Sequence, residues 1–159
     1  MKKLHVEKYE RIFLYLTVAV LVSAFAAIVL SVVESNIHLP TKSATVDPAQ
    51  LDSTPPFDAP GVFQVGDNEY QVVIVAQAFS FTPNEITVPA GAEVTFLVSS
   101  KDVIHGFTIP RTTVNVTVIP GQVSEVTYSF DEAGEHLIIC NEFCGTGHQE
   151  MYGKVVVEG

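Results

Sequence analysis

Apolar positions along the chain fall into three regimes. From Ile12 to Val33 they run for twenty-two residues without a charge. At about 1.5 Å of rise per residue a helix of that length reaches about 33 Å, enough to cross a hydrocarbon core of roughly 30 Å. From 34 to 66 no period holds, and five prolines (Pro40, Pro48, Pro55, Pro56 and Pro60) predict an extended tether over the membrane surface. From 67 to 159 the chain reads as short strands rich in Val, Ile, Thr, Phe and Tyr. They are Tyr70–Ala76, Glu93–Ser99, Val123–Phe130, Glu135–Cys140 and Lys154–Val157, with turns at Pro89-Ala90-Gly91, Pro120-Gly121 and Ala133-Gly134. Along 123–130 the alternation is imperfect and sets Val126, Tyr128 and Phe130 toward a core. These ninety-three residues suffice for one small domain. The expectation is an antiparallel β-sandwich behind one N-terminal transmembrane helix, divided as 1–11 cytoplasmic, 12–33 anchor, 34–66 linker and 67–159 domain.

Charge orients this arrangement. Lys2, Lys3, Lys8 and Arg11 precede the span and only Glu34 follows it closely, so the N-terminus is expected in the cytoplasm and the domain on the periplasmic or extracellular face. A cleaved secretory signal is the competing reading, given the basic start and the small residues at 23–27. Its apolar core is usually about 7–15 residues, shorter than this run. Beyond the span, four basic residues face sixteen acidic ones. Such a surface repels nucleic acid and attracts a basic protein at modest salt, or simply keeps the domain soluble.

The chemistry is concentrated in twelve residues, Cys140 to Met151. They hold both cysteines of the chain, His148 and the only internal methionine. Thiolate, imidazole and thioether together favour copper, whereas a closed structural zinc site wants four Cys or His ligands. One loop under-ligates a second ion, and His105, at the turn after Glu93–Ser99, is the candidate from outside it. Other readings stay open on the residues alone: a Cys140–Cys144 disulfide in an oxidising compartment, Met151 as a core side chain, His148 on a loop surface and His105 as a partly buried histidine.

Cys-X-Glu-X-Cys-Gly-X-Gly-His-X-X-Met, preceded by Asp102-Val-Ile-His105, resembles the dinuclear copper A site of cytochrome c oxidase subunit II. With one anchor helix, the stretch Ala78-Phe79-Ser80-Phe81 and no tryptophan, the chain is most similar to the ba3-type branch of that family. The resemblance covers most of the chain and implies a cupredoxin-like Greek-key β-sandwich. It further implies two copper ions bridged by the Cys140 and Cys144 thiolates. His105 and Met151 would complete one ion, and His148 with the backbone carbonyl of Glu142 the other. Phe107 and Phe143 would help keep water from the site. In much of the family the Glu142 position also reaches a magnesium ion at the interface with the large subunit, although the ba3-type branch often departs there.

The implied role is electron entry: cytochrome c, or a similar small exported donor, delivers electrons to the copper pair, which passes them to haem in catalytic subunit I of the membrane. Oxygen reduction belongs to that partner, because this chain has one span and no haem-attachment motif. The alternatives are the electron-entry subunit of a copper-containing nitric oxide reductase, a relation to nitrous oxide reductase, and a membrane-tethered copper carrier or sensor. A carrier would favour exposed Cys and Met ligands. Asp102 is expected to bind backbone amides as a turn residue rather than to orient a ligand. Phe79, Phe81 and Phe107 are expected in core packing rather than in an electron-entry strip. No ligand role is expected for His136, or for His5 and His38 at the membrane borders.

Overall fold

The computed structural model describes residues 7–34 and 41–159; His5 and His38 lie outside them. The chain divides into two compact units, 1–37 and 38–159.

In the first unit, helix α1 spans Lys8–Glu34, opening four residues earlier than the uncharged run. Its start is held by Glu10, whose carboxylate accepts the Glu7 N–H at 3.0 Å, one half of a capping box. Among the described residues α1 is the one helix long and apolar enough to cross a membrane.

The second unit is built of strands β1 (Thr41–Thr45), β2 (Gly61–Gly66), β3 (Glu69–Gln77), β4 (Ser80–Thr82), β5 (Glu85–Pro89), β6 (Glu93–Ser100), β7 (His105–Thr108), β8 (Asn115–Val118), β9 (Gln122–Ser129), β10 (Gly134–Ile139) and β11 (Tyr152–Glu158). One sheet runs β1-β9-β6-β3-β2 with β4 paired to β3; the other runs β5-β11-β10-β7-β8. The expectation of a purely antiparallel sandwich needs correction, because β3 pairs β6 and β5 pairs β11 in parallel. After β4 the chain crosses to the second sheet as β5 before returning as β6, and a parallel pair requires such a crossover.

The main core lies between the sheets. Val72, Ile74 and Ala76 of β3, Val94, Phe96 and Val98 of β6 and Val155 and Val157 of β11 meet there, as do Val126, Phe130 and the partly buried Tyr128. Phe81 and Phe107 stack edge to face in it, ring centres 5.6 Å apart.

Residues 41–66, read from the sequence as an extended tether, carry β1, β2 and a short 3-10 helix, Pro48–Ser53. Asp47 caps that helix through the Ala49 N–H. Leu51 and Phe57 are 1% exposed and cover Val73, Val75 and Val123 on the outer side of the first sheet. This strap explains why Val72–Ala76 is apolar at every position: β3 is buried on both faces and has no polar side to alternate with.

Candidate metal centre

The ligand loop hangs between two strands that pair over six successive positions, β10 and β11. At its base the Cys140 N–H donates to Met151 O at 3.2 Å, closing the loop on itself. Within it a 3-10 turn, His148–Glu150, leads directly into Met151. Phe79 lies against this loop from the β3–β4 turn. A Cβ on Gly145 would come within 3.0 Å of the Phe79 ring, and one on Gly147 would overlap it further; Gly145 also holds φ +132°, a region that favours glycine. The Gly145-X-Gly147 spacing is the sequence sign of a ring packed here.

Five side chains converge. Cys140 Sγ lies 3.9 Å from Cys144 Sγ and 3.9 Å from His105 Nδ1. Cys144 Sγ lies 3.5 Å from His148 Nδ1 and 3.7 Å from Met151 Sδ. Both thiols are free, so the disulfide reading is not realised. The Glu142 carbonyl oxygen accepts from Cys140 Sγ at 3.3 Å, while its side chain points out to solvent. Among the described residues, His105, Cys140 and Cys144 form the one close grouping of three His, Cys or acidic side chains able to hold a metal ion.

His105, Cys140, Cys144 and Met151 are 0%, 3%, 8% and 2% exposed, and His148 is half-buried. Burial, and then the adjacent Cys140, pushes the Cys144 thiol up to about 11. A metal cation must displace that proton to bind. The donor set matches copper, combining soft sulfur with imidazole nitrogen.

His105 opens β7 rather than sitting in a turn. Its Nε2 meets Asp102 Oδ1 at 2.8 Å. With that nitrogen donating, Nδ1 keeps its lone pair on the side of Cys140. Asp102 also accepts the Ala78 N–H at 2.8 Å and the Val103 N–H at 2.7 Å. It is therefore both a turn residue, as the sequence predicts, and the orienting partner of His105, which the sequence does not predict. Burial raises its carboxyl, but the Ala78 N–H, His105 and the Val103 N–H outweigh that and hold it below the ordinary 3.8.

Phe107 and Phe81 are core residues, and Phe79 is half-buried on the loop. Phe143, expected to shield the site, is 81% exposed. With both cysteine sulfurs turned inward, Glu142 and Phe143 between them face outward, and the Phe143 ring only edges His148 at 5.7 Å. Leu137, Ile139 and Tyr152 are also exposed, lining an apolar hollow of about 540 Å³ that reaches His148 and Met151. His136 packs against Phe130, ring centres 5.0 Å apart.

Residues 69–159 match the family described as cytochrome c oxidase subunit II, periplasmic domain. Cytochrome c oxidase subunit 2 of Thermus thermophilus is 48% identical over 119 residues, 74% of this chain and 88% of that relative. Nitrous-oxide reductase of Stutzerimonas stutzeri is 35% identical over 95 residues, but these make up only 15% of that protein. Among solved structures, a chain of a haem-copper terminal oxidase dimer superposes with a TM-score of 0.74 at 33% identity, covering 95% of this chain and all of that one. The periplasmic domain of subunit II of cytochrome oxidase from Bradyrhizobium japonicum, at 22% identity and a TM-score of 0.52, shares the fold.

Two facing sheets with a His, Cys, Cys, Met cluster at the end of a strand pair define a cupredoxin-like copper protein, whose described residues also include one helix apolar and long enough to cross a membrane. The chain belongs to the cytochrome c oxidase subunit II family.

Proposed function

We propose that this chain is the electron-entry subunit of a haem-copper terminal oxidase, receiving electrons from cytochrome c or a similar small exported donor for haem in catalytic subunit I. The observation that carries the reading is the convergence of two free thiols, two imidazole Nδ1 atoms, a thioether and the Glu142 carbonyl within one end of the sandwich. In this reading Cys140 and Cys144 would hold a pair of copper ions together with His105 and Met151 on one side and His148 and the Glu142 carbonyl on the other. When bound, the copper pair supplies a one-electron couple. The chain's residues hold that couple in a fixed, largely dry frame. Asp102 orients His105, Phe79 packs the loop, and the paired ends of β10 and β11 set its width.

The burial of His105, Cys140, Cys144 and Met151 favours electron transfer over a copper carrier, which needs reachable sulfur to exchange its ion. Lys8 and Arg11 at the N-terminal end of α1 support a cytoplasmic N-terminus, with the copper domain on the outer face. The exposed Glu142 carboxylate is a hard oxygen donor of the kind magnesium takes, available to a magnesium ion at an interface with the catalytic subunit if that partner supplies the remaining ligands.

The test is to load the detergent-purified chain with copper and record metal content and the electron paramagnetic resonance spectrum. Two coppers per chain, with hyperfine structure from two equivalent nuclei, are expected. A single copper with hyperfine structure from one nucleus would overturn the electron-entry reading and favour the carrier.

A further inference from the structure

His105 and the ligand loop come from separate stretches of chain, and almost no backbone pairing joins them. β10 meets β7 at one register pair, Ile139 with Thr108. That ladder stops one residue short of Cys140, while His105 lies at the opposite end of β7. The Cys140 N–H is committed to Met151 O, on the other side of the loop.

Asn141 crosses the gap. Gly106, buried beside His105, has no side chain, and a Cβ there would lie 2.8 Å from the Asn141 backbone nitrogen and 2.9 Å from its Cγ. The loop thus approaches β7 as closely as a bare glycine allows. From that seat the Asn141 amide donates to Asn115 Oδ1 at 3.1 Å, and Asn115 is the β8 partner of Thr108. One side chain clasps the loop to both strands of the β7–β8 hairpin. Because Asn141 stands between Cys140 and Glu142, and Gly106 next to His105, any displacement at this contact moves ligands against each other.

Resting on the copper reading above, we propose that Asn141, seated on Gly106 and bonded to Asn115, is the positioning residue that fixes the spacing between His105 Nδ1 and the Cys140 sulfur and Glu142 carbonyl. Gly106 and Asn141 are then a matched pair, in which the bulk of one is permitted by the absence of bulk in the other. The contact acts through the ligands and touches neither copper nor any reacting group.

The full-length chain in detergent provides the test. The unsubstituted protein is loaded first; failure to bind two coppers would refute the centre itself, whatever Asn141 does. With that centre present, Asn141→Ala is expected to leave the metal-free circular dichroism and melting profile close to those of the parent. It is also expected to shift the copper hyperfine splitting and reduction potential, and to speed copper loss to a chelator about tenfold, the range seen when a ligand-supporting partner is removed. Asn115→Asp, which keeps the acceptor for the Asn141 amide, is expected to retain the parent spectrum. Gly106→Ala is expected to repeat the Asn141→Ala shift and to do less damage in the Asn141→Ala background, where the overlap at Cγ is gone. If Gly106→Ala fails to fold, Asn141→Ala and Asn115→Asp decide. Parent-like hyperfine splitting, potential and copper release in Asn141→Ala overturn the proposal, as do strictly additive effects in the double substitution.

Discussion

Met151 serves the core and the centre with the same atoms: it is 2% exposed among apolar neighbours, and its sulfur stands 3.7 Å from Cys144. Replacing it with leucine separates the two roles. Met151→Leu keeps nearly the same apolar volume, so the metal-free domain is expected to lose less than ~1.5 kcal/mol in thermal unfolding. Copper affinity is expected to fall by at least the ~10-fold typical of losing even a supporting partner, read by competition with a chelator. The sequence exposed the ligand set because soft donors are rare and were gathered in one loop. It concealed the second task of Asp102, because a carboxylate three residues before a histidine looks the same whether it caps a turn or also aims the ring. Phe143 misled because an aromatic beside two cysteines says nothing of which side of the loop it takes.

Among the elements that sequence pattern hides, the strap formed by 48–59 is the one with most consequence for the core. Leu51 and Phe57 are isolated apolar residues in a proline-rich stretch, so no period announces them. The sign was on the opposite partner, in the unbroken apolar run of β3. Phe57→Ala is expected to cost about 3–5 kcal/mol, seen as a lower urea midpoint, while a loaded centre keeps its absorption spectrum because the strap packs outside the main core. Five of the longer strands, β3, β6, β9, β10 and β11, are legible from their β-branched content, whereas β2, as long as β10, merges with the tether. β4, β5, β7 and β8 are three to five residues each, too short for alternation to register.

On the second sheet, Lys154 of β11 bridges Glu85 of β5 and Glu135 of β10, each at 3.3 Å. The Glu85 carboxylate, then that of Glu135, raises its pKa above the ordinary 10.5. A raised folded value means the contribution to stability is complete below the unfolded value and fades as pH rises through the folded one. Domain stability is therefore expected to fall as pH passes above 10.5, and Lys154→Met, compared by denaturant unfolding at pH 8 and in that alkaline range, is expected to flatten this part of the fall.

For the molecule as a whole, the separation into two compact units sets the expectation that deleting the chain ahead of residue 36 leaves a soluble, folded domain that binds copper as the full chain does. Gel filtration and metal analysis check it; aggregation with no copper uptake would show that the second unit depends on the first. Sixteen acidic residues against four basic ones beyond the span also set the salt response. Electron uptake from a basic donor is expected to slow as ionic strength rises past the point where the screening length drops below about 10 Å, and uptake from an acidic donor to quicken, by stopped-flow.

The hydrogen bond from Cys140 to Met151 closes the ligand loop through backbone atoms alone. The loop's ordering entropy is thus spent when the sheets form, and copper enters a vessel already shaped to receive it. Demetallation should accordingly be reversible: stripped protein keeps its cooperative unfolding and refills on return of the ion, unlike domains whose fold exists only while their metal is present.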